Sequence, residues 1–153
     1  DEYEQQGYTV TTERQNQLYL RGRVATLSGI PDLIAIKGNE GVIIDAKSGK
    51  AQPWDLVQVQ TYMWAVPLAL LRYKGTTFSG LLYYLDSRTA IQSTMVNEAF
   101  IKSLTGLINR VADRQEARRV PSEGECRYCD ITLLNCPDRA ASDERLEGET
   151  EEF

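Results

Sequence analysis

At 153 residues, with 42% hydrophobic and 25% charged side chains, the chain has the make-up of one soluble globular domain able to bury a core. No apolar run approaches the roughly 20 residues of a membrane span and no signal peptide is expected, which excludes a membrane role and points to the cytoplasm. The net charge of −5 argues against a broad nucleic-acid-binding surface.

Residues 1–16 are polar and predict no element. Gln17–Leu27, carrying Leu18, Leu20 and Val24, reads as a partly exposed strand with a turn or bulge at Arg21-Gly22-Arg23. Two apolar runs follow, Leu33–Lys37 and Val42–Asp45, joined by Gly38-Asn39-Glu40-Gly41, which is a hairpin signal. A helix is predicted from Asp55 to about Tyr73 by Leu56, Val59, Met63, Val66 and Leu70, kinked at Pro67 and ended by Lys74-Gly75-Thr76. Phe78–Leu85 and Ala90–Val96 read as a second hairpin turning at Asp86-Ser87-Arg88-Thr89. Asn97 caps a second helix with the stripe Phe100, Leu104, Leu107, Ile108 and Val111, fading into Arg118-Arg119. The order of elements alone implies an α/β or α+β sandwich with the first hairpin central. The expected domains are a core over 1–120, a cysteine segment over 121–140 packed on it, and an acidic tail over 141–153.

The chemistry gathers at the open end of the first hairpin. If Lys37 pairs with Val42, Asp32 falls opposite Lys47 and diagonal to Asp45, and the alternation of strand side chains points all three to one face. Diagonal neighbours lie roughly 7–8 Å apart at Cβ, close enough for two carboxylates to reach one divalent cation. Mg²⁺ or Mn²⁺ suits such a set, with Asp32, Asp45 and the Ala46 carbonyl as ligands and water and a substrate phosphate completing the shell. Lys47 would orient a water or stabilise developing charge. A surface ion pair at a strand end is the ordinary reading of a lone Asp-x-Lys, and the acid before the neighbouring buried strand weighs against it.

The set Gly29-Ile30-Pro31-Asp32 followed by Asp45-Ala46-Lys47 resembles the PD-(D/E)XK nuclease superfamily, whose restriction-endonuclease-like core is a central mixed sheet flanked by helices. Gln58-x-x-x-Tyr62, on one face of the next helix, resembles the RecB-like branch, and that resemblance implies that the pair positions DNA and the catalytic centre. Cys126-x2-Cys129-x6-Cys136, with Pro137 after it, is similar to the iron–sulfur members of that branch, the CRISPR-adaptation exonucleases and helicase–nuclease domains. It implies a [4Fe–4S] cluster whose fourth cysteine lies upstream of residue 1, with zinc held by three cysteines as the alternative. The odd cysteine count fits a disulfide framework poorly.

The branch carries a histidine on a helix before the first strand, and this chain has none. A single expectation covers the absent histidine and fourth cysteine, namely that the N-terminal helix is missing from a chain that opens on Asp1. The resemblance implies a Mg²⁺- or Mn²⁺-dependent deoxyribonuclease, an exonuclease in DNA repair, recombination or CRISPR-related processing. Its substrate would be single-stranded DNA or DNA with free ends, and a protein partner in a repair or recombination complex is expected. The other readings are a non-catalytic DNA-binding or structural module and a zinc-stabilised interaction domain. A local basic groove could draw on Arg21, Arg23, Lys37, Lys47 and Lys50, and on Arg110, Arg114, Arg118, Arg119 and Arg127. Solvated helix faces are the better account of most of those arginines.

Overall fold

The computed structural model describes residues 2–115 and 121–140. The chain divides into two compact units, Asp1–Asp113 and Arg114–Phe153. The first holds a five-stranded mixed sheet in the order β1 (Thr9–Thr12), β4 (Leu33–Lys37), β5 (Glu40–Ala46), β6 (Thr77–Tyr83), β7 (Arg88–Ile91). A separate two-stranded sheet consists of β2 (Leu18–Arg21) and β3 (Thr26–Gly29). The α/β class and the central place of the first hairpin match expectation, since β5 is the middle strand.

The hairpin itself is tighter than its sequence implied. Lys37 pairs with Glu40 rather than Val42, so the connection is the two residues Gly38-Asn39, and Gly38 takes the left-handed conformation (φ 61°) that such turns favour. Glu40 and Gly41, read as loop, begin β5 instead. The register therefore shifts by two residues, which preserves the face of every side chain. Leu33 pairs with Ile44, and one step further Asp32 stands opposite Asp45 rather than opposite Lys47.

Residues 1–16, expected to be featureless, contain α1 (Glu2–Gln5) and β1. β1 is polar and short, and its partner supplies its stability: Val10 lies against Ala35 and Thr11 against Ile34 at the sheet edge. Gln17–Leu27 is not one strand of the main sheet but most of the β2–β3 hairpin, turned where the Gly22 N–H donates to the Ala25 carbonyl at 2.9 Å.

Helix α2 (Pro53–Ala69) starts two residues earlier than expected and stops two residues beyond Pro67, with a single 3₁₀ turn at Leu71–Tyr73. It crosses between β5 and β6, which run parallel, and buries Val59, Met63 and Val66 in one core with Leu18, Ile34, Ile43, Phe78 and Leu82. β7 ends at Ile91, short of Val96, because Ser93–Met95 turns as 3₁₀. In α3 (Glu98–Ala112) the Asn97 side chain accepts from the Phe100 N–H at 3.0 Å, the expected cap. Its stripe is only partly used: Leu104 is buried, while Leu107 and Val111 are exposed. Arg118 and Arg119 lie outside the described residues.

The described part of the second unit carries one short helix, α4 (Glu123–Arg127). The acidic tail over 141–153 lies outside the described residues. No described helix is long and apolar enough to cross a membrane.

Candidate active site

Asp32 and Asp45 project from the ends of β4 and β5 on the face that α2 covers, the face of Ile34 and Ile43. Directly opposed residues in an antiparallel pair have Cβ atoms roughly 4.5–5.5 Å apart, so the carboxylates are closer than the diagonal arrangement would set them. The position of Asp32 is fixed from both sides. Its Oδ2 accepts from the Ala46 N–H at 2.9 Å, and its main-chain carbonyl accepts from the Glu13 N–H at 2.9 Å. The carboxylate thus takes the place of a strand carbonyl just where the ladder between β4 and β5 ends.

Asp45 is only 3% exposed. Its Oδ2 lies 2.7 Å from Lys47 Nζ in an ion pair, which uses one of the several acceptor positions of the carboxylate. The ammonium therefore neutralises the carboxylate without saturating it. Burial pushes the Asp45 carboxyl above the usual carboxylate range, against the pull of Lys47, and the charges of Asp32 and Asp55 add to the rise. For Lys47 burial works against the charge, but the contact with Asp45 outweighs it and the amine stays above its ordinary value.

Lys47 Nζ also donates to Gln58 Oε1 at 2.6 Å, and Gln58 Nε2 donates to the Tyr62 hydroxyl at 3.4 Å. One chain of contacts therefore runs Asp45–Lys47–Gln58–Tyr62, joining the strand end to the first turns of α2. Gln58 and Tyr62 share a helix face because they stand four residues apart. The Tyr62 ring rests where only a glycine allows it: a Cβ on Gly29 would meet its Cε1 at 2.6 Å.

Three residues that support this arrangement were not singled out as functional from the sequence. Asn16 is fully buried, and its amide donates to the Pro31 carbonyl at 3.1 Å and to the Thr11 carbonyl at 2.9 Å, holding the chain immediately before Asp32. Asp55, read only as a helix start, is 5% exposed; its carboxylate accepts from the Gln52 N–H and from the Tyr84 hydroxyl, each at 2.9 Å. Tyr84 sits just past β6, and burial followed by its bond to Asp55 pushes its pKa up. Together Asp55 and Tyr84 pin the start of α2 one turn before Gln58.

Other expected residues stand elsewhere. Lys37 is at the turn end of β4, five residues from Asp32 and so roughly 17 Å away at about 3.3 Å per residue. There it donates to the Gln6 carbonyl at 2.9 Å and tethers α1, which removes it from any groove at the site. A cavity of about 620 Å³ lined by Leu20, Arg23, Trp64, Ile108 and others contains none of Asp32, Asp45 or Lys47. A smaller one, about 200 Å³, has Gln58 and Tyr62 in its wall.

In the second unit all three cysteines are free thiols: Cys126 is buried, Cys136 half-buried and Cys129 exposed. Among the described residues no group of three or more His, Cys, Asp or Glu side chains is placed to hold a metal, these cysteines included. The cluster that their spacing implied is therefore without support from the structure. The segment folds instead around Arg139, whose guanidinium donates to the carbonyls of Cys126, Cys129 and Ile131.

The donor set at Asp32 and Asp45 does fit an oxygen-seeking divalent cation that keeps part of its water shell. Two facing carboxylates, one of them buried, lie beside the main chain of Ala46. Two protein carboxylates suffice for Mg²⁺, which rarely takes an all-protein cage.

Comparison with known proteins agrees with this architecture. Residues 1–133 match the PD-(D/E)XK nuclease superfamily. A solved structure described as "Crystal structure of SSO0001" is similar at 17% identity with a TM-score of 0.47; the match covers 86% of this chain and 62% of that one. No curated protein matches the chain. The chain belongs to the PD-(D/E)XK nuclease superfamily.

Proposed function

We propose that the chain is a divalent-metal-dependent deoxyribonuclease whose working groups are Asp32, Asp45, Lys47, Gln58 and Tyr62. The observation that carries this reading is the buried Asp45 carboxylate, facing Asp32 at the strand end and ion-paired with Lys47. Asp32, Asp45 and the Ala46 carbonyl would hold Mg²⁺ or Mn²⁺. The bound cation would supply Lewis-acid neutralisation of charge at the phosphate.

The remaining roles follow from this chain's own side chains. Lys47, kept protonated by Asp45, is a donor and a positive charge; it cannot accept a proton, so its task is to orient the attacking water and stabilise charge developing on phosphate oxygens. Gln58 fixes the direction of that ammonium through its amide oxygen and leaves donor capacity on Nε2 for substrate. Tyr62 presents its hydroxyl and ring on the same helix face. Single-stranded DNA, or DNA with free ends, is the proposed substrate, supported by the resemblance of the Gln58-x-x-x-Tyr62 spacing to the RecB-like branch. An iron–sulfur cluster at Cys126, Cys129 and Cys136 rests on spacing alone and would need ligands beyond these three; visible absorbance of anaerobically purified protein tests it.

The test of the activity is degradation of end-labelled single-stranded DNA with Mn²⁺, and with the metal removed by EDTA. Degradation that needs Mn²⁺ is the expected result, and DNA left intact with Mn²⁺ present would overturn the proposal.

A further inference from the structure

The cavity of about 200 Å³ between α2 and the β2–β3 hairpin is contiguous with the site, because Gln58, which holds Lys47, forms part of its wall. Its lining is Leu18, Leu27, Ser28, Gln58, Thr61 and Tyr62. No charged side chain is among these, so the space offers nothing to a phosphate and suits an uncharged, largely apolar group. Leu18 is buried and Leu27 half-buried, Tyr62 brings an aromatic ring, and Gln58 Nε2 brings a donor. The volume falls below the roughly 300–1,000 Å³ of pockets for drug-sized ligands, so the occupant is small, and a single ring system is of a suitable size.

We propose that this cavity is a nucleobase subsite, receiving an unstacked base beside the phosphate that is cut. The proposal rests on the nuclease reading above and adds the form of the substrate to it. A base reaches such a space only after leaving its stack, which costs least in a single strand or at a frayed end. The aromatic wall and apolar floor provide the stacking and burial that recognise a base without reading its identity. The close approach at Gly29 serves the same end, since a side chain there would push Tyr62 out of place.

The experiment compares two end-labelled single strands, one normal and one with abasic nucleotides, in cleavage with Mn²⁺ and in binding by fluorescence anisotropy. Thr61→Leu, at a half-buried helix position in the cavity wall, fills the space. Wild-type protein should prefer the normal strand by about ten- to a hundredfold in both readouts, and Thr61→Leu should remove that difference. Equal handling of the two strands by wild type would overturn the subsite even if both are cut, as would an undiminished preference in Thr61→Leu with an unchanged circular dichroism spectrum. If neither strand is cut, the nuclease reading fails, and the anisotropy comparison still decides the subsite by the same criterion.

Discussion

The ammonium of Lys47 sits between a carboxylate that keeps it charged and an amide oxygen that sets its direction. Removing it as Lys47→Ala should lower kcat by roughly 10²–10³-fold, the usual loss for one preorganised donor to developing charge, with KM little changed. Asp45 has a second consequence, for stability. Its folded pKa lies above the ordinary 3.8, so between that value and the raised one the folded state binds more protons than the unfolded state. Stability of the metal-free protein should therefore fall as pH rises through that window and then level off. Asp45→Asn should lose this fall and melt at or above the wild-type temperature near neutral pH, although it cannot cleave. Urea unfolding of both proteins across the window, in EDTA, checks the sign.

Each acid depends on the element that carries it, and here the supports come from distant parts of the chain. Asn16→Ala leaves the Pro31 and Thr11 carbonyls without their buried donor and should cost about 1–3 kcal/mol. Because those bonds hold the chain just before Asp32, it should also weaken Mn²⁺ binding, measured by calorimetry, by more than Asp32-remote variants of equal stability. Gly29→Ala forces the Tyr62 ring to move and should raise KM while lowering the melting temperature, consistent with the roughly 1–3 kcal/mol cost of overpacking. These supports mark the boundary of what the sequence reveals. The shared face of Asp32, Asp45 and Lys47 was legible because it depends only on strand alternation, and it survived a two-residue error in register. That Gln58 and Tyr62 share a helix face was legible from their spacing of four residues. Asn16, Asp55 and Tyr84 were not, because their partners are set by packing: Asn16 meets Pro31 across 15 residues and Asp55 meets Tyr84 across 29. β1 escaped notice for the same reason, since a short polar segment such as Thr9–Thr12 becomes a strand only against β4.

For the molecule as a whole, the first unit places both carboxylates at one end of a buried hairpin on the face that α2 covers. Its cation affinity separates a working nuclease from a module that keeps only the fold. Calorimetric titration with Mn²⁺ should show binding to the wild-type protein that is lost in Asp32→Asn and in Asp45→Asn; absence of binding to wild type would favour the module. The cysteines of the second unit lie outside that question, because none of the five proposed working side chains belongs to it. The most direct test of the central claim is Mn²⁺-dependent degradation of single-stranded DNA by wild type, Asp45→Ala and Lys47→Ala, with folding followed by circular dichroism. The account predicts rapid loss of substrate with wild type, none above background with Asp45→Ala and loss slowed roughly 10²–10³-fold with Lys47→Ala, all three remaining folded; undiminished degradation by a folded variant would contradict it.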